Sequence, residues 1–155
     1  EKYKSSKYPV LQSKNFLVPA VAQDWYRDEE MRVFAVMPKF IAMKTEGEFN
    51  NTLVVFDSCD VVKPENDYKL FQAFYEKGAG AVIGWKGLIT INQGDEGTLK
   101  LMKNIVEGKK LGKSVSQTNK YLINNTTHDA GLMLPDRSSD KKLVIEDNDI
   151  RLVEE

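Results

Sequence analysis

The chain has 155 residues, of which 41% are hydrophobic and 29% are charged, and its formal net charge is -1. This length predicts one globular domain with a real core, and the near-neutral charge excludes a general attraction to nucleic acid or to membrane surfaces. No segment approaches the roughly 20 apolar residues of a membrane span. One cysteine excludes an internal disulfide and, with one histidine, leaves too few soft ligands for structural zinc. We therefore expect no nucleic acid, metal or other cofactor as partner.

The first part of the chain is predicted to be mostly irregular. Residues 1–32 are polar and lack a clear period, apart from one short strand near Asn15–Val18. Val33–Val36 is a short extended run. Pro38 then begins a helix that continues through Lys44, because proline is well tolerated in the first helical turn.

A βαβ unit is predicted next. Thr52–Asp57 is a continuous apolar run, which is typical of a strand buried on both faces in a parallel sheet. Asp67–Lys77 places its apolar residues on one stripe of a helix, and Gly78 follows as a C-terminal cap. Ala79–Gly84 is the second apolar strand.

Two helices and a hairpin complete the prediction. The helices cover Asp95–Glu107 and Lys113–Asn124, and Lys142–Ile145 with Ile150–Val153 flank an Asp-Asn turn, which indicates a hairpin. The residues expected to face the core are Leu99, Met102, Ile105 and Val106 in the first helix, and Val115, Tyr121 and Leu122 in the second. The chain is thus an α/β protein with a lead-in over 1–32, a core over 33–124 and a tail over 125–155.

Cys59, the only cysteine, is the first candidate for chemistry. It follows the first strand of the βαβ unit, and ligands collect at the carboxyl edge of such sheets. A thiol becomes a nucleophile where a base or a positive dipole stabilises its thiolate, whereas the alternative is a small buried hydrophobic residue. The only histidine, His128, lies downstream in a predicted loop. It is either a surface residue or, if the tail folds over the sheet edge, a base for Cys59.

Several polar and aromatic residues surround this position in the sequence. Asp57 and Asp60 flank the thiol, and since carboxylates disfavour a neighbouring thiolate, they suit a basic substrate side chain or hydrogen bonds to loop amides. Trp85, Lys86 and Gly87 follow the second strand at the same edge. The indole either walls a substrate pocket or packs beneath the loop. No spacing of acidic residues supports a metal site.

Two stretches resemble a known family. Phe34–Ile41 and Phe49–Asp60 resemble the run into the nucleophile of caspase-like cysteine peptidases. Leu70–Trp85 is similar to the segment that follows the catalytic cysteine in the gingipain, clostripain and separase-related branch, especially in its bacterial and archaeal members. The similarity covers residues 33–123 and rests on a pattern over many positions.

The resemblance implies a three-layer α/β/α fold with a mainly parallel sheet. It also implies a peptide or protein substrate and Cys59 as the nucleophile of a His–Cys dyad, which forms a thioester acyl-enzyme. The Cys59 backbone amide would contribute to an oxyanion hole. Trp85 and the loop after it would line the substrate pocket, where Asp57 or Asp60 would favour a basic side chain.

The chain also departs from this family. There the catalytic histidine lies in a His-Gly or His-Ser loop before the cysteine strand, but residues 1–58 contain no histidine and too few strands to complete the sheet. We therefore expect a C-terminal part whose partner is the missing N-terminal part of the same protein, and which is not an efficient peptidase as given. Two alternatives remain, namely a non-catalytic caspase-like scaffold and an unrelated doubly wound module that binds a small ligand at its strand ends. The sequence indicates no compartment.

Overall fold

The computed structural model of the chain describes residues 8–24, 29–59, 61–62, 68–123, 131–134, 141–146 and 149–154. The chain divides into two compact units, residues 1–47 and 48–155. The helices and strands are α1 (Pro9–Ser13), β1 (Leu17–Asp24), β2 (Glu29–Val36), α2 (Pro38–Lys44), β3 (Leu53–Phe56), α3 (Lys69–Glu76), β4 (Ala81–Lys86), α4 (Ile91–Val106), α5 (Leu111–Ile123), β5 (Gly131–Met133), β6 (Lys141–Glu146) and β7 (Asp149–Glu154). Within the described ranges, no helix combines the length and apolarity needed to cross a membrane.

The first unit contains more regular structure than the sequence predicts. β1 and β2 pair antiparallel from Leu17 opposite Val36 to Asp24 opposite Glu29, so the prediction of an irregular lead-in is wrong. Pro19 lies inside β1. An edge strand tolerates a proline, which has no backbone N–H, because no strand pairs with its outer side. The extended run ending at Val36 and the helix beginning at Pro38 are confirmed.

Phe16, which is buried together with Leu17, is the centre of the aromatic packing in the first unit. The Phe16 ring contacts the Phe40 ring edge-on, with 6.2 Å between the ring centroids. The ammonium groups of Lys39 and Lys44 lie 5.5 and 5.6 Å from the centroid of the same ring. Cation–π attraction therefore adds to the packing that holds α2 against the start of β1.

The predicted βαβ unit is present in the second unit. β3 and β4 pair in parallel from Leu53 opposite Ala81 to Phe56 opposite Gly84, and α3 connects them. Gly78, with φ of 91°, turns the chain after α3 in the left-handed conformation that favours glycine. β4 extends two residues beyond its predicted end. β5, which the sequence did not predict, pairs antiparallel with β4, so this sheet is mixed, and parallel pairing is confined to β3 and β4 among the described strands.

β4 is packed on both faces, whereas β3 is not fully buried. Ala81, Ile83 and Trp85 belong to one hydrophobic cluster, which also contains Leu101 and Ile105 of α4 and Leu111, Val115 and Leu122 of α5. Val82 belongs to a second cluster with Phe71 of α3. All four residues of β3 are only partly buried. The expectation that both faces of β3 are buried is confirmed in part, because Leu53 and Val55 pack against the first cluster and Val54 and Phe56 against the second. This strand ends the described order β3-β4-β5.

The two later helices begin earlier than predicted. α4 starts after Thr90, whose hydroxyl accepts a hydrogen bond from the Gln93 N–H while the Gln93 side chain accepts one from the Thr90 N–H, forming a capping box.

The residues that α4 buries are Gly94, Gly97, Leu101, Asn104 and Ile105. The inward orientation is thus confirmed for Ile105 and wrong for Leu99 and Val106, which are exposed. In α5, Val115 and Leu122 are buried as predicted, but Tyr121 is exposed.

The predicted C-terminal hairpin is confirmed. β6 and β7 pair antiparallel from Lys141 opposite Glu154 to Glu146 opposite Asp149. Leu152 joins the cluster formed by β4, α4 and α5. The Asn51 side-chain amide donates a hydrogen bond to the Leu152 carbonyl at 2.7 Å, which ties the hairpin to the start of β3.

Candidate functional site at the carboxyl edge of the parallel strands

The single thiol is exposed just beyond the parallel strand β3. This strand ends at Phe56, and Cys59 lies in the turn that follows. Its Sγ donates a hydrogen bond to the Ile89 carbonyl at 3.1 Å, in the connection between β4 and α4. Because both strands run in the same direction, their connections emerge at one edge of the sheet, and this hydrogen bond joins them there.

Asp57 is anchored beneath the same connection. One of its carboxylate oxygens accepts a hydrogen bond from the indole N–H of Trp85 at 3.2 Å. A Cβ placed on Gly94 would lie 2.9 Å from that oxygen, so the carboxylate rests against the first turns of α4. The N-terminal end of a helix favours a nearby negative charge. Asp57 is therefore held at one oxygen while the residue as a whole stays exposed.

Trp85 lies under the site. It is 1% exposed, and a Cβ placed on Gly97 would come within 2.7 Å of indole Cζ2. The indole therefore packs in the core against α4 and contributes its N–H to Asp57. That it also lines a substrate pocket stays a prediction.

Lys86 and Gly87 continue the chain from Trp85 at the sheet edge. Lys86 is the exposed last residue of β4, and Gly87, with φ of 83°, starts the turn toward α4. Asp60 and His128, the other residues singled out from the sequence, lie outside the described residues.

Three hydrogen bonds join the segment after β3 to the end of β4 and the connection that follows. Besides the thiol and carboxylate contacts, the Val62 N–H donates to the Trp85 carbonyl at 3.0 Å. Sequence reasoning missed the Ile89 carbonyl as part of this arrangement. The Thr90-x-x-Gln93 capping box was a readable signal for where α4 begins, and it would have placed Ile89 in the connection beside the thiol.

The described residues place a thiol at the sheet edge without a preformed dyad. The only histidine of the chain is His128, so the described residues contain no imidazole. Those residues also contain no group of three histidine, cysteine or acidic side chains arranged to hold a metal ion. An exposed thiol can attack an electrophile where a base removes its proton.

Comparison with protein families, with curated proteins and with solved structures found no match to this chain.

Proposed function

We propose that this chain carries the nucleophile of a caspase-like cysteine endopeptidase. The observation that supports this most is the exposed Cys59 sulfur at the carboxyl edge of β3 and β4. A substrate carbonyl can approach an exposed thiol there. The alternative of a buried, inert cysteine does not fit this exposure.

The packing of β4 is compatible with the three-layer fold of this family. α3 contributes to the cluster on one face of the strand, and α4 with α5 contribute to the cluster on the other. The β3–α3–β4 crossover provides the strand-to-loop junction at which the family carries its nucleophile. We propose the full three-layer arrangement as well, including the further strands that would complete the sheet.

The proposed reaction begins with transfer of the Cys59 proton to a histidine. The sulfur then bonds to the peptide carbonyl carbon, and the Cys59 backbone N–H contributes to stabilising the oxyanion. Collapse breaks the C–N bond, the histidine protonates the leaving amine, and water hydrolyses the thioester. Residues 1–58, where the family carries this histidine, contain none. We therefore expect little peptidase activity from this chain alone.

We propose a basic substrate side chain for this enzyme. Asp57 is two residues from the nucleophile, exposed, and fixed at one oxygen by Trp85, so its negative charge is held in place before substrate binds. Lys86 and Gly87 lie at the same sheet edge, and the role of Asp60, which lies outside the described residues, stays a prediction. In this arrangement Trp85 acts as a support for Asp57 from below.

The test is the alkylation rate of Cys59 by iodoacetamide near neutral pH, mapped by peptide mass spectrometry. The matched control is the double variant Cys59→Ala with Ser116→Cys, which moves the only thiol to an exposed position on α5. We expect Cys59 to react about tenfold faster than the control thiol, as activated thiols do. Equal rates for the two thiols would contradict the proposal.

One observation favours a second candidate, a non-catalytic domain of the same fold that serves as a scaffold. The hydrogen bond from the thiol to the Ile89 carbonyl gives Cys59 a structural use, since it ties two loops together. This candidate predicts that Cys59→Ser, which keeps a donor, preserves stability, that Cys59→Ala lowers it by about 1 kcal/mol, and that the thiol reacts no faster than the control.

A further inference from the structure

Helix α4 carries a second apolar face that points away from the core. Ile91, Leu99 and Val106 are 73%, 73% and 61% exposed. Their spacings of eight and seven residues place them on one side of the helix. Met102, which is half-buried and packs against the core cluster, borders this side. Several large apolar side chains exposed on one side of a helix make that side a candidate interaction site.

The charges on this face are arranged symmetrically about its centre. Asp95 lies four residues before Leu99 and Lys103 lies four residues after it, and both are exposed. Residues spaced by four lie on one ridge of a helix. Along this ridge, the side chains are therefore apolar at Ile91, acidic at Asp95, apolar at Leu99 and basic at Lys103.

We propose that this face of α4 binds the same face of a second copy of the chain, with the two helices antiparallel. In a dimer with twofold symmetry the surface must be complementary to itself. An axis through Leu99 places Asp95 of each copy opposite Lys103 of the other, and Ile91 within one residue of the position opposite Val106. A parallel pair would instead set like charges against each other, which costs affinity. The self-complementary charges therefore favour a second copy of the chain as the partner and the antiparallel direction for its helix.

The expected dimer is weak and depends on concentration. α4 has 16 residues, so it is about 24 Å long at the usual rise. One pair of helices of this length buries an area near the low end of specific interfaces. The proposal concerns a surface beside the thiol site and does not depend on the peptidase hypothesis.

The first test measures the mass of the full chain by sedimentation velocity over a wide concentration range. We expect a monomer–dimer equilibrium that Leu99→Glu abolishes, because the substitution sets two carboxylates against each other at the axis. Lys113→Glu, an exposed charge reversal on α5, is the control and leaves the equilibrium unchanged. A chain that stays monomeric throughout overturns the proposal, as does a dimer that survives Leu99→Glu.

The second test uses charge reversal and fixes the geometry. Asp95→Lys alone and Lys103→Glu alone each weaken self-association, since like charges then meet across the axis. An equimolar mixture of the two variants restores dimers, because every pair in the heterodimer is again of opposite sign, and the double variant restores homodimers. Far-UV circular dichroism checks that each variant is folded. If the mixture is no more associated than either variant alone, the antiparallel dimer is overturned. The same result is expected if the natural partner of this face is a different protein.

Discussion

Gly97 lies beneath the indole of Trp85, at the place where α4 packs on β4. A Cβ there would come within 2.7 Å of the indole Cζ2 and 3.3 Å of the Leu122 side chain. Both neighbours are themselves buried, so neither has room to withdraw. The absence of a side chain at this one residue lets the helix approach the sheet and leaves the indole N–H aimed at Asp57.

We expect Gly97→Ala to lower the free energy of unfolding by about 1–3 kcal/mol, the usual cost of overpacking a core. In an open helical position the same substitution would be stabilising, because alanine has the higher helix propensity. Urea denaturation followed by circular dichroism measures the change. Glu96→Ala, exposed on the same helix, is the control and should change stability by less than about 0.5 kcal/mol. A variant as stable as the parent would contradict the tight contact.

The neighbourhood of Cys59 was predictable from the sequence only in outline. An apolar run over Thr52–Asp57, followed by a helical stripe and a second apolar run, is enough to place the thiol at a sheet edge, and the parallel pairing confirms this placement. The contact between Asp57 and Trp85 was not predictable, because the second strand was expected to end at Gly84. Glycine usually weakens a strand, but here Gly84 is the position against which the Phe71 ring packs.

At the level of helices, a buried polar seam joins α4 to α5. Asn104 is 2% exposed; its amide nitrogen donates to the Thr118 hydroxyl at 3.4 Å, and its oxygen accepts from the Lys109 ammonium at 2.7 Å. The Thr118 hydroxyl in turn donates to the Ser114 carbonyl at 2.8 Å. Buried polar groups are stable only where they are paired in this way.

We expect Asn104→Ala to destabilise the protein by about 1–3 kcal/mol, since it removes these hydrogen bonds and leaves a gap beside Thr118. The control is Asn92→Ala at an exposed position in the first turn of the same helix, for which we expect a change below about 0.5 kcal/mol. Thermal or urea unfolding compares the two variants. Equal effects would show that the seam between the helices contributes nothing specific.

The hydrophobic pattern of α4 predicted the wrong side of the helix to be buried. Leu99 and Val106 are apolar and exposed, whereas Gly94, Gly97 and Asn104 are buried. A pattern of hydrophobicity counts the first pair as core and ignores the glycines, although Gly97 packs against the Trp85 indole and Gly94 against the Asp57 carboxylate. The information needed was the shape of side chains outside the helix, which no local window contains.

The N-terminal hairpin was missed for a related reason. Pro19 lowers the strand tendency of any window that contains it, although a proline is tolerated in an edge strand. β5, with three residues, is too short for a periodic signal and is held by its pairing to β4. Elements that depend on a partner distant in the chain are those that local propensity fails to predict.

At the scale of the whole molecule, the end of the chain stabilises the second unit. Leu152 is 4% exposed and packs with β4 and with residues of α4 and α5, and its carbonyl accepts a hydrogen bond from Asn51, a residue 101 positions earlier. The hairpin itself was predictable, because alternating apolar residues flank an Asp-Asn turn. Its attachment to the β3–α3–β4 unit was not, since nothing in either segment identifies the other.

We expect Leu152→Ala to cost about 2–5 kcal/mol of stability, the usual range for a buried leucine, despite its place near the C-terminal end of the sequence. Leu88→Ala is the matched control, because Leu88 is 75% exposed and should contribute little. Urea titration of both variants measures the difference. A Leu152 variant that unfolds at the same urea concentration as the control would mean that the hairpin is not part of the core.

The central claim, that Cys59 is a nucleophile beside a carboxylate that selects basic side chains, is tested most directly by covalent labelling. The full chain is incubated with peptidyl acyloxymethyl ketones that carry lysine or leucine next to the ketone, and intact mass spectrometry follows the adduct. We predict one label per chain on Cys59, faster with lysine, loss of labelling in Cys59→Ala, and loss of the lysine preference with retained labelling in Asp57→Ala. Labelling that is absent, or that shows no preference for lysine in the parent chain, would contradict the account.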